Sequence, residues 1–273
     1  MIADFIYSLP TWQMAVIIVG LFVFFANVGL YIVVRVLPSE TRKEHNDFVT
    51  STSDLIGVFF AVLAAFIAVA AWETFSKAGD IASTEASLAN DLARDVDGFP
   101  EPLRTKLLID LSSYVDIVLK KEWPDMADGV EFGDEGWEPL RRFQRDLITF
   151  HSEDAVQVAV FSEILSRLNS LFDSRRARLL AATDHISSSV WWVVLIGAGI
   201  SIGLTFLFGM ESYAMHATLT SVAAASLALM IVLIAAFDYP FRGEVQITPD
   251  AFELAQHNME RNGLYVHPGP GQK

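Results

Sequence analysis

Four stretches of this chain, each about as long as a lipid bilayer is thick, carry no charged residue. They run from Trp12 to Val34, Leu55 to Trp72, Val190 to Gly209 and Ala217 to Phe237. A hydrocarbon core about 30 Å thick takes ~20 helical residues to cross. Inside lipid the backbone has to satisfy its polar groups within the element, which makes helices the economical structure. Arg35 and Pro38 close the first run, since proline cannot continue a helix interior. Ser53 and Asp54 offer N-cap groups to the second. The first run has no basic leader, is too long for the apolar part of a signal peptide and lacks a small-residue cleavage site. It is expected to stay in the mature protein.

Charge collects between these runs. The formal net charge is −14, and residues 79–186 hold 21 Asp/Glu against 12 Lys/Arg, a balance of −9. An acidic chain lacks the basic footprint that nucleic acid binding requires. Such charge ordinarily means a solvated surface, although around a pore it would also enrich cations. With no cysteine, disulfides and thiolate metal sites are excluded. The expected architecture is all-α. Residues 1–78 form a first transmembrane helix pair and 79–186 a helical cytoplasmic domain. Residues 187–240 form a second pair and 241–273 a polar, flexible tail ending in HPGPGQK. With four spans, both termini and the insert share a side. Lys77, Arg175, Arg176, Arg178 and Arg242 lie there, against Arg35, Arg42 and Lys43 opposite, and this excess favours the cytoplasm for the insert.

Within the insert, Leu103, Leu107, Leu111, Tyr114 and Val118 recur at helical spacing. Val158, Phe161, Leu165, Leu168 and Phe172 do the same. Pro100 and Pro102 mark a break, and 123–139, rich in Gly, Pro and Asp, reads as a loop. The six histidines at 45, 151, 185, 216, 257 and 267 show no metal-binding spacing, and no phosphate-binding glycine loop is present. No catalytic residue, metal or cofactor is therefore assigned, and an enzyme is not expected. Gly197, Gly199 and Gly203 on the third span, and Ala223 to Ser226 on the fourth, read as helix-packing positions. Asn27, deep in the first span, reads as a helix–helix hydrogen bond. Ionisable residues are too scarce in the spans for a proton relay.

The second span is the most informative. Val58, Val62 and Phe66 stand at i, i+4 and i+8, one above another, with Ala61 and Ala65 between them. Copies of that stripe around a symmetry axis would make an apolar constriction, which can gate ions by dewetting. Taken alone, such a stripe is more often ordinary packing.

This span also resembles the second transmembrane helix of the bestrophin channels, through Gly57, the small apolar run, Phe66, Trp72, Phe75 and Ala78. Asp238, Tyr239, Pro240, Phe241, Arg242 and Gly243 resemble the Pro-Phe-Gly exit of the bestrophin bundle, with Arg242 inserted. More closely, the chain is similar to a bacterial bestrophin-like family of unestablished function. Glu85 to Leu88, Glu122-Trp123-Pro124 and Ser174 to Arg178 carry that likeness, with the second span and the exit motif. The resemblance implies a homo-oligomeric ion channel of the bacterial inner membrane, pentameric in true bestrophins, whose partners are lipid, its own copies and inorganic ions. It puts the pore neck at Val58, Val62 and Phe66, places the insert around a cytoplasmic vestibule, and marks Asp238, Pro240, Phe241 and Gly243 as the helix exit motif. Ile67-Ala68 stand where bestrophins often have Arg-Asn, and only Glu244 and Asp250 follow the exit, which argues against a calcium site. The competing expectation is a non-conducting scaffold or signalling subunit whose stripe is plain packing.

Overall fold

The computed structural model describes residues 10–130, 133–150 and 155–267, the side chains of 155–157 excepted. His151 and the HPGPGQK end beyond His267 therefore lie outside the described residues. Every described element is helical: α1 (Thr11–Val36), α2 (Ser39–Glu44), α3 (Asn46–Asp95), α4 (Leu103–Ile117), α5 (Trp123–Asp128), α6 (Trp137–Ile148), α7 (Ala155–Thr183), α8 (Ser188–Phe206), α9 (Tyr213–Ala236) and α10 (Asp250–Arg261). The chain forms two compact units, one of residues 1–75, 185–239 and 243–245, the other of 76–184, 240–242 and 246–273.

The first unit holds the spans. α1, α8 and α9 and the first half of α3 are each long and apolar enough to cross a membrane. Their mutual contacts combine alanines with larger apolar side chains. Ala26, Ala224 and Ile202 form one cluster, and Phe60, Ala64, Val194, Ala198, Ile231 and Ile234 another. Bulky residues such as Phe24, Phe25, Phe59, Trp192 and Val222 face outward. A water-soluble surface does not tolerate so much contiguous apolar area, and a lipid-facing one does. The protein is a multi-pass membrane protein. Asn27 donates to Ser221 Oγ at 2.8 Å, the helix–helix bond expected of it. The glycines of α8 divide. Gly197 lies under the Phe60 ring, where a Cβ would collide, whereas Gly199 and Gly203 meet nothing of their own subunit.

At one end of this unit α2 docks on the turn after α8. Arg42 donates to the carbonyls of Phe206 and Phe208 at 3.2 and 3.0 Å, and Asn46 exchanges two hydrogen bonds with Gly209. The cation thereby answers the unpaired carbonyls at the α8 C-terminus. At the other end Asp238, at the exit of α9, accepts from the Ile186 N–H at 2.6 Å and from Trp191 Nε1 at 3.2 Å, pinning the start of α8. Glu244 accepts from the Thr11 N–H and so caps α1.

The second unit has one core, running from Ala78 through Tyr114, Phe143 and Leu168 to Phe252 and Met259. Three expectations change here. α3 begins at Asn46, so Ser53 and Asp54 lie inside it and do not cap it. The helix continues to Asp95 because small residues at Ala78, Ala82, Ala86, Ala89 and Ala93 keep the 3.6-residue period once the apolar run has ended. Residues 123–128 are helical too, with Pro124 in the first turn of α5. The tail contains α10, which buries Phe252, Ala255 and Met259. After it, Leu264 enters the core while Tyr265 donates to Asp116 and the Val266 N–H to Ser112 Oγ.

Candidate functional site

The neck residues proposed from sequence lie on one exposed side of α3. Val58, Val62 and Phe66 are 66%, 51% and 70% exposed. Phe60, Ala64 and Ala71, on the other side, are buried against their own subunit. At about 100° per residue, these two sets are diametrically opposed on the helix. The stripe therefore contributes little to the packing of its own chain, and its neighbours Ser51, Leu55, Val69 and Glu73 are exposed as well. A helix of this kind is anchored at its back and presents an apolar front.

A second constellation lies in the insert, and sequence reading had named its parts without joining them. Glu85 on α3 and Arg178 on α7 are fully buried and bridge twice, Arg178 Nε to Glu85 Oε2 at 2.6 Å and Nη2 to Oε1 at 3.1 Å. The same Nη2 donates to Glu122 Oε2 at 2.7 Å. Glu122 also takes a forked pair of bonds from Arg175, the Nη1 arm at 2.9 Å. Tyr114 Oη closes the chain by donating to Glu85. Above and below lie aromatic faces: Arg175 is 4.6 Å from the Trp137 ring centre, and Arg178 is 5.7 Å from that of Trp123. Two carboxylates and two guanidiniums balance, so the core encloses no net charge.

Local sequence produces this convergence. Arg175 and Arg178 are three apart and share the inner face of α7, while Arg176 between them points out to Asp173. Pro124 cannot donate into the preceding turn, and residues 118–122 relax into a π-turn. That turn leaves Lys120 and Lys121 in solvent and turns Glu122 inward. Gly136 closes the site, because a Cβ there would strike both Glu122 and Arg175. Phe241 of the exit motif stacks edge-on against Trp123 at 5.6 Å, and Gly243 takes φ +86°, open to glycine alone at little strain.

Electrostatics follow from burial. Sealing Tyr114 from water, next to the negative charge of Glu85, pushes its hydroxyl well above the usual phenol range. For Glu122 burial pushes upward, but the hydrogen bonds of Arg175 and the charge of Arg178 outweigh it and hold the carboxyl below its ordinary value. A proton donor or acceptor serving catalysis would need access to substrate, and these groups have none. The network is a clasp joining α3, α4, the π-turn and α7. Among the described residues no group of His, Cys, Asp and Glu is arranged to hold a metal ion.

Comparison with known proteins agrees with this architecture. A family model described as a bestrophin-like domain matches residues 20–252. A bacterial bestrophin homologue from Klebsiella pneumoniae, crystallised with a single substitution, shares 11% identity at a TM-score of 0.65, over 90% of this chain and 99% of its own. Another single-substitution variant of the Klebsiella pneumoniae homologue is 12% identical at a TM-score of 0.66, covering 91% and 98%. A further structure, of a membrane protein, gives a TM-score of 0.67 at 10% identity, covering 89% and 98%. At such identities the likeness is one of fold. No curated relative matches the sequence.

Proposed function

Because the chain belongs to the bestrophin-like family, we propose that it forms a homo-oligomeric, passive ion channel whose axial pore is lined by α3. Val58, Val62 and Phe66 form the neck. The observation that carries this reading is the opposition on α3: one side is used up in intrasubunit packing, and the stripe directly across from it is apolar, exposed and unpartnered. In a ring of copies that stripe narrows the axis with side chains that cannot replace an ion's hydration shell. Water then leaves the constriction readily, and ion flow is governed by its wetting. Asp238, Pro240, Phe241 and Gly243 serve this function indirectly, by fixing the end of α9 and the segment that follows it.

Single-channel recording of the purified protein in planar bilayers tests the proposal. Wild type is expected to show discrete unitary currents. Replacing Val58, Val62 and Phe66 together by alanine widens the neck, and the unitary conductance is expected to rise several-fold. Silence from both proteins across monovalent and divalent salts and a range of pH removes the channel reading. A stoichiometric partner that co-purifies with a silent protein would point to a scaffold in its place.

We propose that the insert and both termini face the cytoplasm of a bacterial inner membrane, a reading supported by the balance of Lys and Arg flanking the spans. The cysteine-free chain gives a direct check. A single cysteine at the exposed position Asp134 is expected to resist a membrane-impermeant maleimide in intact cells and to react once they are lysed. Labelling before lysis reverses the orientation.

A further inference from the structure

We infer that copies of this chain close their ring by seating the alanine side of one α3 in an apolar groove beside Phe59 of the next. The inference rests on the pore reading and adds the surface on which neighbouring subunits meet.

α3 has four sides within the membrane. One packs into its own subunit through Phe60, Ala64 and Ala71, and the opposite one bears the neck. The two sides that remain are unequal. Phe59, 76% exposed, and Leu63 stand on one; Ala61 and Ala65, both exposed, stand on the other with Ala68. The bulky side borders a groove of about 590 Å³ lined by Leu55, Phe59 and Leu63 of α3 and by Val193, Ile196 and Ile200 of α8. Gly197 opens its floor, since no side chain there stands between the groove and the Phe60 ring.

The order of the four sides selects a second copy as the occupant. Rotation about an axis in front of the neck stripe brings one flank of each α3 against the other flank of its neighbour, never like against like. Flanks of equal bulk would hold the helices apart or clash. Here a ridge and groove meet a run of small residues, which lets helix backbones approach closely. Bulk on one side and its lack on the other, at the same height on the helix, is the pattern of a heterologous contact. Lipid has no such handedness to satisfy.

Ala61 and Leu63 stand two residues apart on opposite flanks, so cysteines placed there cannot meet within one helix. The double variant Ala61→Cys/Leu63→Cys, oxidised with copper phenanthroline in native membranes, is expected to give a ladder of covalent multimers ending at a closed species. Each single variant is expected to stay monomeric on denaturing gels. Dimers from either single variant, or a double variant that stays monomeric, overturn the interface. Recording from the same double variant in its reduced state separates the two readings. Currents without a ladder leave the channel and remove this contact; a ladder without currents keeps the contact and removes the pore. A second pair of variants guards against a misfolded result. Ala65→Trp is expected to cut the oligomer population about tenfold on sizing in detergent. Leu229→Trp, on an exposed face of α9, is expected to leave it unchanged. Equal behaviour of the two overturns the proposal.

Discussion

Replacing Arg178 with methionine should destabilise the detergent-solubilised protein by about 3–5 kcal/mol, a fall of roughly 10 °C in its melting temperature. Arg178 is fully buried and answers both Glu85 and Glu122, so its loss leaves a carboxylate in the core with nothing to neutralise it. Removing Glu85 as well, as Glu85→Met with Arg178→Met, is expected to recover much of the loss. The remaining Glu122–Arg175 pair is again neutral, and packed apolar side chains replace buried ions at little net cost. A single variant that melts within a degree of wild type would mean that water reaches these groups. The same network sets an acid limit. Glu122 titrates below its ordinary 4.5 in the folded protein, so its stabilising contribution is complete above that value and is lost as pH falls through the lowered one. Glu122→Gln should remove this limb from the stability–pH curve.

Asp238→Ala should be the most damaging change at the edge of the transmembrane unit. The carboxylate accepts from the Ile186 N–H and the Trp191 indole, and alanine leaves both donors without that acceptor. A fully buried donor so abandoned costs about 1–3 kcal/mol, and these partly buried ones lose less each. The start of α8 should loosen, with a red shift in tryptophan emission as Trp191 gains water, alongside a lower melting temperature. Asp238→Asn keeps an acceptor oxygen and is expected to recover part of the loss. An alanine variant with unchanged emission and melting would show that α8 is held by packing alone.

The spans were plain in the sequence because length and lack of charge suffice to identify them. Asn27 was equally plain, since a lone amide in lipid must find partners, and it finds Ser221 across the helix pair and the Val23 carbonyl one turn back. How far α3 runs past the membrane was not. Its inner face beyond the membrane is drawn in alanines, whose period carries little hydrophobic contrast. α10 was hidden for a similar reason: Phe252, Ala255 and Met259 mark a face only three residues strong within a polar tail. The clasp was legible as separate motifs yet not as one site. Glu85 and Arg178 are 93 residues apart, and a carboxylate in an acidic segment reads as solvated until the fold shows what lies over it. The π-turn that brings Glu122 inward changes the helical register by a residue, which no hydrophobic period announces. For the stripe of Val58, Val62 and Phe66, periodicity gave the register, and the structure added what lies behind it.

The clasp also governs how such a chain can drift over generations. Positions 85, 122, 175 and 178 share one closed account of charge, so a lineage that alters one must alter its counterpart nearly at once or pass through an unstable ancestor. The front of α3 is under no such bond within the subunit, because Val58, Val62 and Phe66 are largely exposed and pair with no charge there. Descendants should therefore differ freely along the membrane stripe, one site at a time, while the four ions in the water-exposed half are inherited, or abandoned, together.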